Sequence, residues 1–160
     1  MQPLVTVGVI LFGYLIGSIP FGFILVKMRT GQDVRDVQSG RTGGTNVMRA
    51  AGTWVGILTG VFDVLKGYFA VLIAQWLAPE NAWLAVLAPC AAVLGHNASI
   101  FLLQRDANGK WRFAGGAGGA PTLGGAMGLW VPALYIMLPI GILIYYFVGY
   151  ASVTTLSAGV

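Results

Sequence analysis

Eleven residues, Ser39 to Arg49, concentrate most of the chemistry in this chain: Ser39-Gly40-Arg41-Thr42-Gly43-Gly44-Thr45-Asn46-Val47-Met48-Arg49. Glycines let backbone N–H groups converge on an anion without a Cβ in the way. Arginine supplies a rigid fork of donors matched to phosphate oxygens. Thr45 or Asn46 would serve as N-cap of a helix that continues into the next apolar stretch, and a helix N-terminus is itself an anion site. Arg49 would then stand in the first turn, the wrong sign for the helix dipole, where a bound anion would compensate for it. The segment is not a Walker loop, because no Gly-Lys-Ser/Thr follows its glycines. Turn glycines and topology-setting arginines in a plain loop would share this composition.

Three further places carry candidate groups. Asp63 and Lys66 are three residues apart in an apolar stretch, hence on one helical face, where a structural ion pair is the simpler reading. His96, the only histidine, is flanked by Gly95 and Asn97 and could be a packing residue, a phosphate ligand or a proton carrier. Gly115-Gly116-Ala117-Gly118-Gly119-Ala120-Pro121-Thr122 is either a backbone cradle or a run of small residues for close helix contact. One cysteine, one histidine and five acidic residues leave no ordinary protein ligand set for zinc or di-iron.

The elements that must position these groups are apolar. Charged residues make up 9% of the 160, against roughly 25% in a soluble domain, too few to coat a water-soluble globule, and the hydrophobicity excludes a disordered chain. The chain reads as an all-α, polytopic helical integral membrane protein of about four to five spans, a single domain over 1–160. Leu4 to Val26 is long enough to cross a hydrocarbon core of about 30 Å. Ala50 to Pro79, Asn81 to Gln104 and Leu129 to Val148 are the next apolar stretches, with Pro132 and Pro139 tolerated as kinks. Gly115 to Gly128 reads as a loop or broken helix, and Gly149 to Val160 as the opening of a further span.

Lys27, Arg29, Arg35, Arg41 and Arg49 lie in the first loop and Arg105, Lys110 and Arg112 in the third, whereas the loop around Pro79 and Glu80 has no basic residue. By the positive-inside rule the N-terminus lies outside and both glycine-bearing segments face the cytoplasm. Two segments on one side of a membrane could form one site.

Taken in order, these residues resemble the bacterial acyl-phosphate–glycerol-3-phosphate acyltransferase family, the PlsY family. The resemblance runs through Gly17-Ser18-Ile19-Pro20-Phe21-Gly22, Ser39-Gly40, Gly43 to Arg49, Asp63-Val64-Leu65-Lys66-Gly67, Gly95-His96, Gly115-Gly116 with Gly118, and Tyr150-Ala151-Ser152-Val153. It implies a polytopic inner-membrane enzyme of phospholipid synthesis, with acyl phosphate, glycerol 3-phosphate and membrane lipid as partners and no cofactor, metal or nucleic acid. It also implies catalytic roles for Ser39, Arg49 and His96, and substrate binding by Gly40, Arg41, Gly43, Thr45, Asn46, Gly115, Gly116 and Gly118.

The departures are specific. The family's glycine loop usually reads Lys-Gly-Gly-Lys-Gly, and the two lysine positions are Ala114 and Ala117 here. Arg41 stands where the family commonly has asparagine. The chain is read as a divergent or C-terminally truncated member, lacking the family's last helical segment. A non-catalytic relative that binds phosphate or anionic lipid, and a small membrane transporter, are the alternatives.

Overall fold

A computed structural model describes residues 3–106 and 108–148. The stretch from Gly149 to Val160, including the Tyr150 to Val153 motif, lies outside the described residues.

The elements run α1 (Pro3–Ser18), α2 (Phe21–Thr30), a 3-10 turn (Val34–Asp36), α3 (Gly44–Ala51), α4 (Thr53–Leu77), α5 (Ala82–Asn97), β1 (Ser99–Arg105), β2 (Trp111–Ala114), α6 (Gly119–Leu129) and α7 (Ala133–Val148). The fold is mostly helical. Pro3–Thr30, interrupted at Ile19 and Pro20, and Thr53–Leu77 are long and apolar enough to cross a bilayer. Trp54 and Trp76 stand exposed at the two ends of α4. They are 22 residues apart, about 33 Å along a helix, the spacing of two interfacial aromatic belts.

Small residues set the helix contacts. Gly13 and Gly17 of α1, one turn apart, let its backbone approach Ala88 and Ala92 of α5, where a Cβ would collide with backbone atoms. Gly67 of α4 and Gly124 of α6 do the same against the backbones of Pro121 and Val64. Val9, Ala70, Ala74, Leu84, Ala88 and Ala92 fill the core between α1, α4 and α5.

The structure corrects four expectations. The all-α reading misses an antiparallel hairpin of β1 with β2, in which Arg105 pairs with Trp111. The helix within Asn81 to Gln104 therefore ends at Asn97, and the rest of that stretch is strand. A turn fits here because Asp106 Oδ1 accepts from the N–H of Asn108 and of Lys110, and Gly109 adopts φ +76°. Of Gly115 to Gly128, read as loop or broken helix, all from Gly119 onward belongs to an eleven-residue helix, Gly119–Leu129. The residue capping α3 is Gly43, not Thr45 or Asn46, and Gly52 (φ +95°) separates α3 from α4, so Arg49 lies in the last turn of a short helix with the favourable sign for its dipole. No bound anion is needed to offset that charge.

Candidate functional site

Thr42 N–H donates to Gly115 O at 3.2 Å, and Gly116 N–H donates to His96 O at 2.9 Å. These two bonds bring the first loop, the end of α5 and the glycine-rich segment to one place, although the first loop lies more than fifty residues before the other two in sequence. A second tie holds them from outside: Arg35 forks onto Asp33 and donates from Nη1 to Gln104 Oε1 at 2.8 Å. The Arg35 guanidinium beside Asp33 holds that carboxyl below its ordinary range.

A cavity of about 280 Å³ opens where the segments meet. Gly43, Gly44, Thr45 and Met48 line it from α3 and its cap, and Ala117, Gly118, Gly119 and Ala120 from the start of α6. Gly56, Gly60 and Asp63 line it from one face of α4, and His96 from the end of α5. The N-termini of α3 and α6 thus face the same space, and their first N–H groups have no partner within the helix. Two partial positive charges at one cavity suit an anion.

Beneath it lies a cluster of ionisable groups. Lys66 Nζ is 2.9 Å from Asp63 Oδ1, 2.8 Å from His96 Nδ1 and 3.2 Å from Ile19 O. Asp63, Lys66 and His96 are all buried. The other edge of the imidazole packs on Gly116, where a Cβ would fall onto the ring. The Asp63–Lys66 pair is therefore not only a structural pair within one helix, because it also holds His96. The signal available in sequence was the intramembrane charge pair itself; its partner thirty residues away was not legible.

Of the sequence candidates, Gly43, Thr45, His96 and Gly118 line the cavity. Gly115 and Gly116 form the hydrogen bonds that close it. Arg49 is exposed, one turn after Thr45 on the same face of α3, and lies outside the cavity lining. Asn46 is buried and its Nδ2 donates to the carbonyls of Val34, Val37 and Arg41 at 2.9–3.0 Å, so its amide nitrogen clamps the first loop over α3. Ser39 and Gly40 sit in the turn after Val37, where Gly40 (φ +66°) donates to Val37 O, and with Arg41 they lie outside the cavity lining. Ala117, one of the two positions where lysine was expected, is in the lining.

A second, apolar groove of about 610 Å³ runs between α4, α6 and α7, walled by residues such as Val61, Leu123, Leu134, Leu138 and Ile142. It shares Thr45, Ile57, Gly60, Gly119 and Ala120 with the polar cavity, so the two are continuous.

The family description "Glycerol-3-phosphate acyltransferase" matches residues 7–160. A glycerol-3-phosphate acyltransferase of Thermus thermophilus is 40% identical over 152 residues, 94% of this chain and 70% of that protein. One of Bartonella henselae is 37% identical over 152 residues, 94% of this chain and 68% of that protein. The crystal structure of PlsY (YgiH), an integral membrane glycerol 3-phosphate acyltransferase, in its glycerol 3-phosphate form superposes with a TM-score of 0.80 at 34% identity. It covers 96% of this chain and 72% of that one. The lysophosphatidic acid form of PlsY gives 0.76 at 31% identity, with 96% and 71% covered.

Proposed function

This chain belongs to the glycerol-3-phosphate acyltransferase family, and from that premise we propose that it moves a fatty acyl group from acyl phosphate to glycerol 3-phosphate, giving lysophosphatidic acid and inorganic phosphate. The observation that carries the reading is the continuity of an anion-suited cavity with an apolar groove. One substrate is a small phosphate ester; the other is a phosphate on a long apolar tail. The cavity, with two helix N-termini and His96, suits the phosphorylated ends. The groove between α4, α6 and α7 suits the tail, which enters it from the apolar bilayer without crossing water.

The donor is already activated, so no covalent relay through the protein is required. A glycerol hydroxyl attacks the acyl carbonyl, a new carbon–oxygen bond forms, and the bond from acyl carbon to the phosphate oxygen breaks. The hydroxyl proton passes to a phosphate oxygen of the substrates. The work of the protein is to hold donor and acceptor in line, which converts a bimolecular step into a local one. It also places fixed donors, the first N–H groups of α3 and α6 with His96, against the developing oxyanion and the leaving phosphate. Arg49, one turn after Thr45 on α3, serves the substrate phosphate, and Ser39, Gly40 and Arg41 belong to the loop beside it.

In this reading the chain is one membrane-embedded domain of four to five spans. Its N-terminus is outside, and the loops meeting at Thr42 and Gly115 are on the cytoplasmic side. Purified protein in lipid, given acyl phosphate and glycerol 3-phosphate, should release inorganic phosphate and form lysophosphatidic acid in equal amounts. Arg49→Ala should lower turnover by about a hundredfold. Ligand-dependent stabilisation without product would return the reading to a phosphate-binding relative.

A further inference from the structure

We infer that Lys66 is a positioning residue that locks His96 as its Nε2–H tautomer, so that the imidazole enters acyl transfer as a fixed hydrogen-bond donor and not as a base. The inference rests on the acyltransferase reading of the cavity for the donor's target, but the tautomer itself stands on local geometry.

Three groups surround the ammonium nitrogen of Lys66. Asp63 Oδ1 is at 2.9 Å, Ile19 O at 3.2 Å and His96 Nδ1 at 2.8 Å. A carbonyl can only accept, and an ionised carboxylate can only accept. An ammonium group has three protons and no lone pair. Its three protons therefore meet three acceptors, and the third acceptor is the imidazole. Nδ1 must carry its lone pair, which leaves the ring proton of the neutral histidine on Nε2. Among the described residues no protein group is hydrogen-bonded to Nε2, which packs beside the Cα of Gly116, the side chain it lacks leaving that edge uncovered, and His96 lines the anion-suited cavity.

A carboxylate beside a histidine ordinarily does the reverse: it accepts a hydrogen bond from Nδ1–H and leaves Nε2 with its lone pair, free to act as a base. Asp63 is placed to do this, with Oδ1 3.5 Å from Nδ1. The ammonium of Lys66 is closer to both groups than they are to each other, and it bonds to each. Interposing a cation turns a carboxylate–histidine pair of the base-generating kind into a donor-generating triad. Such a donor would face the developing oxyanion or phosphate, which needs a proton held near it and not removed from elsewhere.

His96 is the only histidine of the chain, so protein labelled with nitrogen-15 in the histidine ring reports one imidazole. In lipid and without substrate, nitrogen NMR should show Nε2 protonated and Nδ1 not. A proton on Nδ1 in this wild-type spectrum overturns the inference. Lys66→Met should move the proton to Nδ1, whose N–H then donates a hydrogen bond to Asp63. Should that variant not fold, Asp63→Asn with Lys66→Met removes both charges and should give a mixture of tautomers. A ring still wholly Nε2–H in the folded variants would overturn the role of Lys66.

Turnover separates donor from base. His96→Gln keeps an N–H donor and a group that accepts from Lys66, and should retain kcat within about tenfold, whereas His96→Ala should lose about a hundredfold. Equal losses in the two would contradict a donor role. Adding glycerol 3-phosphate to the labelled wild-type protein should shift the Nε2 resonance. If the tautomer is as stated but no shift follows, the target of the donor is wrong and the lock stands.

Discussion

Asp63 with Lys66 and Asp33 with Arg35 are each a carboxylate and a cation two or three residues apart, at N–O distances of 2.9 and 2.6 Å. The first pair is sealed inside the helix bundle, with side chains 3% and 2% exposed, and its cation reaches on to His96 and Ile19. The second lies on the first loop, with side chains 23% and 22% exposed, and its cation reaches on to Gln104 of β1. Similar chemistry thus does two jobs. Inside, a charge that cannot be solvated must keep its partner, and the pair fixes the protonation geometry of a site residue. Outside, water competes for both ions, and the pair only helps to clasp two loops that backbone bonds already join.

That contrast can be broken by removing one ion from each pair. Lys66→Met should destabilise the fold by about 3–5 kcal/mol, since it leaves Asp63 buried without its counter-ion. Asp63→Asn with Lys66→Met should recover much of that loss. Asp33→Asn should cost under about 1 kcal/mol. Thermal or denaturant unfolding in detergent would rank the three, and equal effects at the two sites would erase the distinction drawn here.

Steric change sharpens it next. Gly116→Val should push the His96 ring off Lys66, costing about 1–3 kcal/mol in overpacking. Turnover should fall by more than stability explains. Valine at Gly43, where a Cβ would meet nothing within 4 Å, should leave the fold nearly untouched.

A smaller, opposite effect is expected at Ala117. Ala117→Lys adds a cation at the cavity lining and should lower KM for glycerol 3-phosphate about tenfold at low salt, the gain shrinking as salt screens it. An unchanged KM would mean that the phosphate is held elsewhere.

The smallest effect is the pH response of the loop clasp. The Asp33 carboxyl is held below its ordinary value of 3.8 chiefly by its hydrogen bonds from Arg35. A group whose folded pKa is depressed stabilises the fold above its unfolded pKa, and that contribution is lost as pH falls through the folded pKa. The melting-temperature difference between wild type and Asp33→Asn should therefore be flat from pH 7 to 5 and shrink below about pH 4.

Much of this arrangement was legible in the residues. Apolar stretches with almost no charge required membrane-length helices, and part of the hydroxyl–glycine–arginine run, Gly43 to Thr45 with Met48, lines the polar cavity. The hairpin was less visible because Ser99 to Gln104 is as apolar as the helix before it, although Asn108-Gly109 followed by Trp111 and Phe113 on one face is a turn-and-strand signal. The helix from Gly119 was hidden by glycines whose value lies in close approach to α4, a tertiary gain that outweighs helix propensity. Asn46 reads as a possible N-cap, yet Gly43 caps the helix and the buried amide nitrogen of Asn46 instead clamps three loop carbonyls, a tertiary contact that spacing does not encode. The Lys66–His96 contact depends on how α4 and α5 pack, which spacing along the chain does not encode.

Binding of glycerol 3-phosphate to variants with a negative charge added to the lining, read by titration calorimetry, tests the shared cavity most directly. Thr45 and Ala117 line it from the two distant segments. Wild-type protein should bind saturably, and Thr45→Glu and Ala117→Glu should each abolish binding while the protein stays folded. Wild-type affinity in either folded variant would contradict a site built jointly by the two segments.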